Sequence, residues 1–149
     1  MIRRMRQDDI GAVAELEQEC FHVPWSANLL KEGLESPLDR YFVLEEGTGI
    51  AGYCALRVIA GEGEIQRIAV KPQMRRCGYG KKLMDAMVMD ARKNQVSDLI
   101  LEVRAGNENA INLYRSYGFR KEGIRRGYYT EPAEDAWLMR LTGISSNSQ

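Results

Sequence analysis

The chain has 149 residues, 44% of them hydrophobic, with 21 basic and 21 acidic side chains and a single histidine. That length suits one domain able to bury about 70% of its unfolded surface, and the balanced charge removes any global attraction to nucleic acid. Cys20, Cys54 and Cys77 are too few and too unpatterned for a disulfide framework or a zinc site. No secretory core opens the chain and no apolar run approaches the roughly 18 residues of a membrane span, so the expected setting is a reduced cytoplasm without metal or membrane.

A short strand is predicted over 2–5. Asp8 is placed to cap a helix in which Ile10, Val13, Ala14, Leu16 and Glu17 fall at helical spacing. Pro24 and Trp25 break that helix, and Ser26 caps a second one that runs through Leu29, Leu30 and Leu34 and ends near Pro37. Strands over 41–45 and 50–59 follow, joined as a hairpin at Gly47, Thr48 and Gly49. A strand over 64–70 leads into a glycine loop and an apolar-periodic helix over 83–91. A strand over 98–104, a helix over 108–117 and closing strands near 120–128 and 135–141 complete an α/β domain, expected over 1–142. The small, polar stretch 143–149 reads as a disordered tail.

The charges are segregated even though their sum is zero. Residues 71–82 hold Lys71, Arg75, Arg76, Lys81 and Lys82 with no acid, whereas 8–19 hold Asp8, Asp9, Glu15, Glu17 and Glu19 with no base. The acidic segment either favours a basic acceptor or is an ordinary solvated helix face. Within the basic segment, Gly78 and Gly80 stand at a strand-to-helix turn, where main-chain amides can wrap a phosphate. A Walker loop ending at Gly80 and Lys81 needs Gly at position 75 and Ser or Thr at 82, and the chain has Arg75 and Lys82. A dinucleotide fingerprint begun at Gly78 needs a small residue at 83 and meets Leu83. What remains is R-x-x-G-x-G.

Leu99, Ile100 and Leu101 are apolar in succession, the pattern of a central strand covered on both faces, and Glu102 breaks it near the strand's carboxyl end. Open α/β sheets place ligands there. Solvent exposure, or pairing with Arg104, would explain Glu102 equally well. Tyr114 shares a helical stripe with Ala110, Leu113 and Tyr117, and periodicity alone favours a core position for it.

The loop from Arg75 to Lys81, followed by the segment 101–107, Ala110, Leu113, Tyr114 and the run Tyr117, Gly118, Phe119, resembles the two signature halves of the GNAT N-acetyltransferases. Pro24 with Trp25, the run 125–129 and the run 134–136 are similar to the bacterial branch that acetylates ribosomal-protein alanines. The likeness spans about residues 1 to 141. It implies a mixed central sheet of about seven strands flanked by about four helices, and acetyl-CoA as co-substrate. Ile68, Ala69 and Val70 would bind the acetyl-pantetheine arm, and Arg75, Arg76, Cys77, Gly78, Tyr79, Gly80 and Lys81 the pyrophosphate. Asn107 would touch the cofactor as well as cap its helix.

The resemblance further implies Glu102 as general base and Tyr114 as general acid, with Glu64, acting through water, as a rival base. Trp25, Tyr128 and Tyr129 are candidates for an aromatic wall against an incoming peptide, with core filling as the alternative. His22 reads as an ordinary surface or partly packed histidine. The expected partner is a protein N-terminus, that of a small-subunit ribosomal protein, and the expected state a monomer or weak dimer. A lysine or small-molecule amine is the competing acceptor, and a non-catalytic acyl-CoA sensor the competing role.

Overall fold

In chain order the elements are β1 (Ile2–Arg4), α1 (Ile10–Cys20), α2 (Ala27–Glu35), β2 (Asp39–Glu46), β3 (Gly49–Ile59) and β4 (Glu62–Val70), then α3 (Tyr79–Lys93), β5 (Asp98–Arg104), α4 (Glu108–Ser116), β6 (Arg120–Thr130) and β7 (Ala133–Leu141). The computed structural model describes residues 1–47 and 49–144. Of the expected hairpin, Thr48 lies outside the described residues, and β2 and β3 pair antiparallel on either side of it. No described helix is long and apolar enough to cross a membrane.

The seven strands form one sheet in the order β1-β2-β3-β4-β5-β7-β6, in which only β4 and β5 run parallel. The β3–β4 turn is made by Ala60 and Gly61 at φ 50° and 81°. Two successive positive φ angles match the twist of the strands they join, and alanine is an uncommon residue there, which hides the turn in the sequence. α1 and α2 lie on one face, where Val13, Leu16 and Leu30 pack on Tyr41, Val43 and Tyr53. α3 and α4 lie on the other, where Leu83, Met84, Met87 and Ile111 pack on Leu56, Leu99, Leu101 and Met139.

Several boundaries differ from expectation for identifiable reasons. Asp8 does not cap α1: a 3-10 turn over Gln7–Asp9 precedes it, and buried Asp9 accepts from the Arg6 amide at 2.8 Å and binds Arg3 in a fork at 2.8 Å. Ser26 caps α2 as expected, accepting from the Leu29 amide at 3.2 Å. α3 begins four residues earlier than its apolar stripe, because the Lys82 amide reaches the Gly78 carbonyl at 3.2 Å and winds the loop residues into the first turn. Within the expected tail at 143–149, Ile144 is packed: it is 2% exposed and its amide donates to Ser97 O at 2.9 Å, while residues 145–149 lie outside the described residues.

β5 also corrects the sequence reading. Leu99, Leu101 and Val103 are buried against α3 and α4, but Asp98, Ile100, Glu102 and Arg104 alternate onto a half-open face. α1 and α2 cover β2, β3 and β4 and stop short of β5. Two irregularities shape the centre of the sheet. The β4–β5 pairing ends at Ile65 opposite Leu101, so the strands part beyond it. A bulge at Gln66 on β4 shifts the register with β3, so Ile65 packs on the α3 side while Ala69 packs on the α1 side.

Close approach of β3 and β4 beneath α3 requires Gly52, where a Cβ would lie 2.7 Å from Ala69 O and 3.2 Å from Leu83 Cδ1. Gly52→Ala should lower stability by about 1–3 kcal/mol because main chain must move. Gly11, exposed in α1 with nothing within 4 Å of a Cβ, is the opposite case; Gly11→Ala should raise stability by about 0.5–1 kcal/mol. Urea unfolding of both variants checks the opposed signs.

Candidate active site

The gap between β4 and β5 is where the chain leaves main-chain polar groups available. The Lys71 amide donates to Ala51 O at 2.8 Å. Two-residue alternation from that bond commits the peptide groups of Ala69 to β3 and turns those of Ile68 and Val70 toward the gap. The three residues expected to act together therefore divide. The Val70 carbonyl already accepts from Cys20 Sγ at 3.4 Å and from Arg75 Nε at 3.2 Å.

The glycine loop sits at the end of β4. Gly78 is the N-cap of α3 at φ 79°, a conformation that suits glycine, and Arg76 adopts φ 67° without that freedom. The first-turn amides of Tyr79, Gly80 and Lys81 have no carbonyl of the helix to donate to, and the helix dipole adds partial positive charge there. Arg76, Cys77 and Lys81 are exposed around them. Arg75 is engaged elsewhere, with Nη2 3.6 Å from Cys20 Sγ. The Tyr79 ring is turned to Glu46, and its phenol pKa is raised by partial burial and by that carboxylate. Tyr117 ties α4 to this end of α3 by donating to Lys81 O at 3.0 Å and to Asp85. Asn107 caps α4, its Oδ1 accepting from the Ala110 amide at 3.2 Å. This donor set, amides and cations with no acid among them, fits a diphosphate.

On the α1 side of the gap, Glu102 projects from β5. Its Oε2 stands 3.2 Å from Arg125 Nε, out of line for a hydrogen bond, and is otherwise a buried oxygen without a partner. The expected alternative partner, Arg104, is turned away to the β6–β7 connection, donating to Pro132 O at 2.8 Å and to Glu131 O at 3.0 Å. Glu64 faces the same side from β4, opposite Ile100. Tyr128 and Tyr129 pack edge to face with centroids 5.0 Å apart, and Arg104 lies 4.2 Å over the Tyr129 ring. Partial burial and then hydrogen bonding to Glu102 raise the Tyr128 pKa, and burial pushes Tyr129 up to about 12.

Tyr114 is a core residue, as periodicity favours, buried on the α3 side with its ring 5.9 Å from Phe119. Burial and then the charge of Tyr129 raise its pKa, and among the described residues its hydroxyl has no hydrogen-bond partner. Trp25 stands apart from the tyrosine pair: it packs against Tyr41 at 6.4 Å and Arg67 at 4.7 Å. The three aromatic residues thus form two separate groups. His22 is exposed, as expected of an ordinary surface histidine. The site is an open gap, and a hollow of about 240 Å³ beside Met5, Ile10 and Leu34 lies elsewhere.

One cluster escaped the sequence reading. Glu17 is fully buried, accepting from the Trp25 amide at 2.8 Å, from Arg67 Nη2 at 3.2 Å and from the Tyr53 hydroxyl. With Asp9 bound to Arg3, this leaves only Asp8, Glu15 and Glu19 of the acidic segment on the surface. The available signal was position, because Glu17 falls on the inward stripe of α1 with Val13 and Leu16.

An acetyltransferase (GNAT) family profile matches residues 10–119. The chain belongs to the GNAT acetyltransferase family. It is 35% identical over 144 residues to the Escherichia coli ribosomal protein bS18 alanine N-acetyltransferase, covering 94% of this chain and 95% of that one. It is 34% identical over 145 residues to the Mycobacterium tuberculosis N-alpha-acetyltransferase RimI, covering 93% and 90% of the two chains. The crystal structure of the Escherichia coli ribosomal-protein-S18-alanine N-acetyltransferase superposes with a TM-score of 0.88 at 33% identity, covering 95% of this chain and 92% of that one. The chain is therefore an acetyltransferase, and GNAT acetyltransferases use acetyl-CoA.

The contact between Tyr128 and Glu102 is open to direct measurement. With Glu102→Gln, the Tyr128 phenol should ionise at lower pH than in the unsubstituted protein, since a nearby negative charge no longer opposes phenolate. Alkaline titration followed by carbon NMR of labelled tyrosine reads the shift.

Proposed function

We propose that this chain transfers the acetyl group of acetyl-CoA to the α-amine of a protein N-terminus, the N-terminal alanine of a small-subunit ribosomal protein, in the cytoplasm. The relatives' names support that acceptor. The observation that carries the chemistry is the buried Glu102 oxygen without a hydrogen bond, on the open face beside the parting strands. A polar atom left in that state is uncommon in a native fold and accounts for itself when an incoming ammonium supplies the missing donor.

The residues present fit the cofactor. Ile68 and Val70 amides would hold the acyl arm, and the amides of residues 79–81 with Arg76 and Lys81 the diphosphate. Acetyl-CoA supplies a thioester acetyl group. Glu102 takes the proton that the acceptor amine releases as its bond to the acetyl carbon forms, and Tyr114 donates toward the sulfur as the carbon–sulfur bond breaks.

Proton affinities favour an α-amine over a lysine. An N-terminal ammonium with a pKa near 8 is already about one-tenth free amine at pH 7, whereas a lysine near 10.4 needs about 3 kcal/mol more. For Tyr114, full transfer from a phenol of pKa about 10 to a thiolate of pKa about 8.5 is uphill by about 2 kcal/mol. Burial raises the Tyr114 pKa further, so its contribution is hydrogen-bond donation to the developing thiolate.

Mass analysis of a peptide panel differing in the first two residues, with α-blocked lysine peptides alongside, tests the acceptor. Acetylation of lysine alone would sink the α-amine reading. Glu102→Gln should lower kcat/KM by about 100-fold at pH 7, and the deficit should persist above pH about 8, because a free amine still sheds a proton as its bond to the acetyl carbon forms. Tyr114→Phe should lose about tenfold or more. Unchanged turnover in the double variant, with CoA still bound, would overturn the roles given to Glu102 and Tyr114. A loss on Glu64→Gln and none on Glu102→Gln would move the base to Glu64.

A further inference from the structure

Outside the residues assigned so far, Arg67 is held by its Nη2 and by two aromatic rings, while its buried Nε has no hydrogen-bond partner. The bulge at Gln66 turns it onto the α1 side of β4, at the start of the stretch that has left β5. Its contacts converge on one irregular segment, residues 21–25 between α1 and α2. Nη2 donates to Val23 O at 3.0 Å, and the guanidinium carbon lies 4.0 Å from the Phe21 ring centroid and 4.7 Å from that of Trp25. Nη2 also meets Glu17, the fully buried carboxylate that accepts the Trp25 amide.

A buried carboxylate is tolerated when paired and fully hydrogen-bonded, and three donors, from β3, β4 and the segment between α1 and α2, satisfy Glu17. The segment they hold lacks helix and strand, so side chains set its path. It follows Cys20, whose Sγ meets Val70 O at the end of β4 at 3.4 Å, and it keeps the apolar Val23 66% exposed beside Arg67. Glu102, Tyr128 and Tyr129 bound the same open face from the other side.

We propose that Arg67, locked by Glu17, is a positioning residue that fixes segment 21–25 as one wall of the acceptor channel, so that acceptor binding depends on it and cofactor binding does not. The proposal rests on the N-terminal acetyltransferase reading. Arginine is required because its planar group stacks on the aromatic rings while bonding both Val23 O and Glu17. Lysine keeps the charge and loses the plane.

The test compares the full-length protein with Arg67→Lys and Glu17→Gln, both chosen to keep the buried site filled. Arg67→Lys should raise KM for an α-amine peptide about tenfold, with kcat within about twofold and KM for acetyl-CoA unchanged. Glu17→Gln keeps an acceptor for the Trp25 amide and should raise peptide KM less, about threefold. Amide hydrogen exchange should quicken at residues 21–25 and stay unaltered at 79–82.

An unchanged peptide KM, or both KM values rising together as the protein loses thermal stability, overturns the proposal. So does unaltered exchange at residues 21–25. Turnover on lysine alone by the unsubstituted protein overturns the underlying reading and this one with it. Failure of the lock itself is distinguished from that case because the exchange measurement uses no substrate.

Discussion

β4 and β5 share register only from Glu62 with Asp98 to Ile65 with Leu101, and both strands continue beyond that point without each other. A strand that keeps one neighbour and loses the other exposes a row of amides and carbonyls, which water or a ligand must satisfy. The Gln66 bulge completes the arrangement. Without it, alternation from Ile65 would place position 67 on the α3 side; with it, Arg67 and Ala69 face α1 while Ile68 and Val70 line the α3 side.

The same sheet is closed elsewhere by charge. At the far end of β5, Arg140 donates to Glu62 at 2.9 Å, Asp98 at 2.9 Å and Glu122 at 2.7 Å, joining β4, β5, β6 and β7 below the gap. Arg57 forks onto Asp39 at 2.8 and 2.9 Å, and Arg40 pairs with Asp90 across the sheet and α3. Each exposed pair contributes about 0–1 kcal/mol, but their placement keeps the strands together wherever they are not meant to part. Glu102 contrasts with all of these carboxylates, since its arginine is close and misaligned.

What the sequence disclosed follows from which features are local. The glycine turn, the Ser26 and Asn107 caps and the seven-strand order of elements each depend on neighbours within a few residues, and each is present. The errors involve distance in sequence. Leu99, Ile100 and Leu101 read as doubly covered because nothing local says that α1 and α2 stop at β4. Asp9 outcompetes Asp8 because Arg3, on the edge strand, reaches it. Glu17 is concealed among surface acids because its side-chain partners, Tyr53 and Arg67, lie 36 and 50 residues away. Arg75, a candidate phosphate ligand in the cationic run, lies beside Val70 O and Cys20 at the strand end.

The two groups proposed for proton handling come from opposite sides of the sheet. Glu102 alternates onto the α1 face, while Tyr114 belongs to the core beneath α3 and α4. In a continuous sheet a hydrogen-bonded layer would separate them. The parting of β4 and β5 removes that layer locally. The separation also keeps their environments distinct. The phenol stays protonated because it is buried among apolar side chains, while the carboxylate lies beside Arg125 and Tyr128. A base and a donor on one face would lie close enough to bond to each other; across the gap, the acceptor amine and the leaving sulfur can come between them.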